Sequence, residues 1–199
     1  MKHTLTPWRY AGAVRLTGVG LLVFTVLVVV LLFRVLGPDE HPLALQRGVD
    51  LCEALGAGVW GTLGPAAGQG TAQPPAANPE GRSICELAHS AGTGTRPAGQ
   101  PLARVMLTTE ADLRYQNLGQ SLGRYLTGFV AEMKASGWEP LEVQGPWRRT
   151  HAFAGLGGET VLLIEDEGVF LWISSTEFPL DGLLVFAEAV TERLRTGAR

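Results

Sequence analysis

The chain has 199 residues, a formal net charge of −3, 46% hydrophobic and 18% charged residues, and two cysteines. Near-neutral charge excludes a strongly basic nucleic-acid binder, and two cysteines exclude a cysteine-dense secreted scaffold. Soluble domains usually carry nearer a quarter of their residues as charges, so the apolar residues must be concentrated somewhere.

They are concentrated near the start. Between Arg15 and Arg34 runs LTGVGLLVFTVLVVVLLF, 18 residues without a charge. At about 1.5 Å per residue this covers roughly 27 Å, close to the hydrocarbon thickness of a bilayer. The expectation is a single transmembrane anchor over residues 16–37, ended by Pro38, Asp39 and Glu40. Lys2, Arg9 and Arg15 precede it with no acid among them, which places residues 1–15 in the cytoplasm and the rest outside, at the plasma (inner) membrane. A cleaved signal peptide is the competing reading, but its apolar region is shorter and needs a small-residue cleavage site that Val35-Leu36-Gly37 does not supply.

From Val35 onward, 12 Lys or Arg stand against 19 Asp or Glu, a net −7. That excess of acid argues against nucleic acid or anionic lipid as the partner of the exported part. Residues 38–60 are expected to form a membrane-proximal amphipathic helix, since Leu45, Val49, Cys52, Leu55 and Val59 recur at spacings of three and four. Residues 61–82 are rich in Gly, Ala, Pro and Gln and predict a flexible loop. Residues 83–199 then form the main α+β domain.

Within it, Ser83 and Glu86 suggest the start of a short helix. Ala103 to Thr109 reads as a strand, and Thr109 with Asp112 caps a long helix over 110–136 that ends at Gly137. Strands are expected at 140–144, 148–154, 160–165 and 169–174, the last two joined by a tight turn at Asp166-Glu167-Gly168. A helix over 180–194 closes the chain. This order predicts a mainly antiparallel sheet of four to five strands with helices packed on it. The last two strands are almost wholly apolar and should be central, with the long helix on one face and the terminal helix or a partner on the other.

Cys52 and Cys85 are 33 positions apart and flank the Gly-rich stretch. In an oxidising compartment they are expected to form a disulfide at its base. No histidine follows them at metal-ligand spacing, so no metal and no cofactor is expected. Glu165, Asp166 and Glu167 could approach a cation, but such a run at a hairpin tip is ordinarily solvated. Ser174, His151 and Asp181 could supply the residue types of a hydrolytic triad, yet no Gly-x-Ser-x-Gly elbow is present. No catalytic residue is therefore assigned.

Trp147, Arg148 and Arg149 are the candidate interaction residues, because Trp and Arg dominate interface hot spots. Alternation along a strand would send the two arginines to opposite faces. The functional expectation is an extracytoplasmic protein-interaction or accessory module with a protein partner in the membrane or envelope. The alternatives are an anchored enzyme acting on an envelope substrate and a structural subunit of a membrane complex.

Overall fold

The computed structural model describes residues 43, 46–75, 83–89, 99, 101–116 and 118–197. Residues 1–42, which include the expected cytoplasmic stretch 1–15 and the anchor 16–37, lie outside them. No described helix is long and apolar enough to cross a membrane.

The described elements are α1 (Leu51–Trp60), β1 (Gly70–Gln73), β2 (Ser83–His89), β3 (Pro101–Thr109), α2 (Glu110–Tyr115), α3 (Leu122–Ala135), β4 (Glu139–Leu141), β5 (Arg149–Ala154), β6 (Thr160–Asp166), β7 (Val169–Ser175) and α4 (Leu180–Thr196). The expectation of four to five strands is corrected to one seven-stranded sheet in the order β1-β2-β3-β7-β6-β5-β4. Every neighbouring pair is antiparallel.

Both extra strands lie on the side of the sheet away from β4. The segment from Ser83 is β2 and not a helix, because Glu86 does not cap anything. Its carboxylate forms an ion pair with Arg104, its cross-strand partner on β3. Residues 61–82 are not wholly loop either. Two short 3₁₀ turns, Gly61–Leu63 and Pro65–Gln69, lead into β1. As an edge strand β1 needs a backbone ladder with β2 more than apolar side chains, so its composition does not announce it. A Cβ on Gly70 would lie 2.7 Å from Leu87 Cγ, so this close approach excludes a larger residue there.

β6 and β7 set the layering. Val161, Leu163 and Phe170 face one side, where Leu122 and Leu126 of α3 and Leu113 of α2 cover them. Leu162, Ile164, Leu171 and Ile173 face the other side, under Leu51, Leu55 and Trp60 of α1 and Leu183, Phe186 and Val190 of α4. The sheet is thus packed on both faces. Burying a side chain of this size contributes about 1.5–3 kcal/mol, so neither face of these strands could be left wet cheaply.

The expected helix over 110–136 is divided. Thr109 caps α2 with a capping box: its amide donates to Asp112 Oδ2 at 2.8 Å, and the Asp112 amide donates to Thr109 Oγ1 at 3.1 Å. The helix stops at Tyr115, and Gly119 at φ 56° reverses the chain before Ser121 caps α3. That φ is open to glycine at little cost. The turn between β6 and β7 forms as expected, with Glu167 at φ 40° and Gly168 at φ 87°, the positive pair that a two-residue hairpin requires.

Cys52 on α1 is disulfide-bonded to Cys85 on β2, their Cα atoms 5.1 Å apart. Cys85 is fully buried in the α4-side core. The bond closes the segment holding α1, both 3₁₀ turns and β1, and ties the helix directly to the sheet. For a loop of this length the chain-entropy model gives roughly 3–4 kcal/mol. Replacing both cysteines by alanine is therefore expected to lower unfolding stability by about 3 kcal/mol in a denaturant titration, with the intact protein yielding a linked Cys52–Cys85 peptide on non-reducing mass mapping.

Candidate functional site

β4 is only three residues long and lies at the edge of the sheet. It pairs with β5 from Glu139 opposite Ala154 to Leu141 opposite Ala152, and there it stops. Arg149, Thr150 and His151 of β5 continue the ladder with β6 but have no strand on their outer side among the described residues. The connection over 142–148 swings toward the α4 side, since Val143 and Trp147 both pack into that core. The ring of Trp147 is buried, and its Nε1 donates to Thr191 Oγ1 of α4 at 3.2 Å. Gly145 lies directly against the indole, where a Cβ would come within 2.3 Å of two ring carbons.

What this leaves at the edge is a notch of about 270 Å³. Lys134 of α3, Glu142 of the connection, and Thr150 and His151 of β5 supply its polar groups; Leu141, Val143 and Phe153 are among its apolar walls. The side chains of Lys134 and Glu142 have no hydrogen bond or ion pair among the described residues. The Thr150 hydroxyl is buried and has no hydrogen-bond partner among the described residues. Apolar walls with a few convergent polar groups are the ordinary composition of a binding site.

His151 is a titratable group in the wall of the notch. Its pKa is lowered from 6.5, first by partial burial and then by the positive charges of Lys134 and Arg149. A perturbed histidine in a cleft marks a site where ligand and proton binding are coupled.

The three expected interaction residues immediately precede Thr150 and His151 in the chain, are not part of the notch lining, and have different roles. Trp147 belongs to the core. Arg148 and Arg149 both reach Glu165 of β6, with Nη1 atoms 3.8 Å and 3.3 Å from its two carboxylate oxygens. The expectation that they face opposite ways is corrected, because Arg148 precedes β5 in a bend where strand alternation does not apply. Arg148 is still largely free, its side chain 69% exposed. Arg149 lies across α3, where it donates to the Gly123 carbonyl at 3.4 Å. A Cβ on Gly123 would sit 2.7 Å from its guanidinium, so a larger residue there would displace the arginine's tip.

Glu165 and Asp166 are parted by the sheet. Asp166 Oδ2 accepts from Arg195 of α4 at 2.5 Å, while Glu165 meets the arginines on the α3 side. The acidic run is therefore split and neutralised by arginine on each side, which removes the basis for a cation site there. Ser174 and His151 do not meet either. His151 is aligned with Leu163 and then Trp172, so Ser174 is two strands and two residues away, roughly 12 Å by strand geometry. Asp181 begins α4 on the opposite face.

A second pocket of about 250 Å³ lies at the start of β3 and the end of β7, with Arg104, Glu159 and Ser174 in its wall. The guanidinium there is already committed to Glu86, so the notch at the β4–β5 edge offers the freer set of charges. No single segment carries that set. Lys134, Glu142 and His151 come from three elements, and only the short β4 creates the gap between them. The isolated lysine, one of two in the chain, was the available signal.

No protein-family model matches the chain, and no curated protein or solved structure matches it.

The lowered pKa of His151 gives a pH dependence with a defined sign. The unfolded chain takes up this proton near pH 6.5 and the folded chain only at lower pH, so the stability at issue is present above pH 6.5 and lost as pH falls below it. His151→Gln is expected to flatten the fall in denaturation midpoint between pH 7 and pH 5. Equal slopes for variant and parent would show that the imidazole is not desolvated as described.

Proposed function

We propose that this protein is an interaction or accessory module that works outside the cytoplasm at the plasma membrane, crossing it once with its N-terminus inside. The location is supported by the uncharged run from Leu16 to Phe33 with only basic residues before it. The Cys52–Cys85 disulfide supports it as well, since such bonds persist in oxidising compartments. The partner is another protein of the membrane or envelope.

One observation carries the interaction reading: a sheet edge left without a strand, flanked by uncommitted charged groups. An unpaired stretch of edge is a template for an added chain segment. Arg148, exposed in the bend just before this stretch of β5, adds a side chain of the type that anchors interfaces. The buried charges elsewhere, Glu165 and Asp166, are neutralised within the fold and offer a partner little.

A photo-crosslinking side chain placed at position 148 of the full-length protein tests the reading. In intact cells it is expected to give one discrete adduct that fractionates with the membrane. The same probe at Glu188, exposed on α4, should not give it. No adduct at 148, or the same products from both positions, would contradict an interface at this edge.

A further inference from the structure

We propose that the notch between α3, β4 and β5 receives the free C-terminal end of a protein partner, its terminal carboxylate set between Lys134 and His151 and its last, apolar side chain against Leu141 and Val143. This inference rests on the interaction reading above and specifies the ligand.

Three features converge on such an end. The first is the edge itself: three residues of β5, Arg149 to His151, lack an outer strand among the described residues, a length of about 10 Å that two or three extended residues would pair. The second is charge. The Lys134 side chain has no hydrogen bond or ion pair among the described residues, and the field at His151 is positive from Lys134 and Arg149. A backbone carboxylate carries a single negative charge at the end of a strand, where that field is. The third is the apolar wall, which an acidic side chain or a phosphate would leave unsatisfied. Glu142, across the notch, further disfavours a dianion. Capture of a chain end by strand addition joins main-chain hydrogen bonds to a charge-assisted contact.

Proton coupling follows from the groups around His151. α3 presents Lys134 and the connection presents Glu142. β4 carries Glu139, and β5 itself carries Arg149, whose guanidinium is shared with Glu165 of β6. The cross-strand neighbour on β6 is Leu163. A bound carboxylate offsets the cations that disfavour the imidazolium, so His151 gains a proton on binding at mildly acid pH. The carboxylate, with an ordinary pKa of about 3.3–3.7, stays ionised there.

The test uses the full-length protein in detergent and two libraries of octapeptides randomised at the last three positions, one with free and one with amidated C-termini. The free-acid library is expected to yield binders ending in Val, Leu, Ile or Phe. Amidating the best of them should weaken binding at least tenfold, as should Lys134→Ala, a change at an exposed helix position. Affinity should rise several-fold from pH 7.5 to 5.5 and stay level in His151→Gln. Equal binding of the amidated peptide overturns the proposal, and so does the absence of binders from the free-acid library. If free-acid peptides fail while the adduct at position 148 forms, the interaction reading stands and only the chain-end proposal falls. If both fail, both fall.

Discussion

The structure is organised by two adjacent strands that cannot be wetted on either face. β6 and β7 place Val161, Leu163 and Phe170 on one side and Leu162, Ile164, Leu171 and Ile173 on the other, all essentially without solvent exposure. A sheet centre of this kind needs cover above and below. α3 supplies it on one face, and α1 with α4 on the other. The ends of the two strands then bring Glu165 and Asp166 under cover too, and each is met by arginine from its own side of the sheet. Removing one partner from such a buried charge costs more than the pair contributes, so these arginines are constrained by the fold before they serve anything else.

The same constraint explains why the disulfide matters. α1 belongs to the α4-side cover but is separated from the main run of strands by a stretch poor in apolar residues. Cys52 to Cys85 ties it to β2, and Arg193 of α4 donates to the Ala54 carbonyl at 3.0 Å to hold it from the other side. At the far edge there is no comparable device among the described residues. β4 ends after three residues, and the connection that follows turns its apolar side chains inward. The notch is what the fold leaves open when coverage of the central strands is complete.

Much of this was legible wherever one local rule decides the outcome. The capping box at Thr109 and Asp112, the hairpin at Glu167-Gly168, the apolar pair β6 and β7, the terminal helix and the cysteine pair all declare themselves through residue type and spacing. Legibility failed where tertiary pairing overrides a local signal. Ser83 and Glu86 imitate a helix start, but Glu86 is claimed by Arg104 across the ladder. Gly70 to Gln73 has no strand composition because an edge strand is held by backbone bonds. The apolar stripe from Leu118 onward suggested one helix, yet Leu118 is 44% exposed and Gly119 turns the chain. The candidate site was the least legible part, since its charged groups are remote in sequence and its shape depends on where β4 stops. Of the expected interaction residues, Arg148 and Arg149 precede its β5 residues in the chain and reach Glu165, while Trp147 is occupied in the core.

The central claim is that the outer side of β5 at Arg149 to His151 is an open sheet edge used for binding. Amide hydrogen exchange on the full-length protein, alone and bound to its crosslinked partner, tests it most directly. The account predicts slow exchange throughout β6 and β7, faster exchange over 149–151, and protection of 149–151 on binding with little change at β1, the opposite edge. Slow exchange over 149–151 in the free protein, or protection appearing elsewhere on binding, would contradict it.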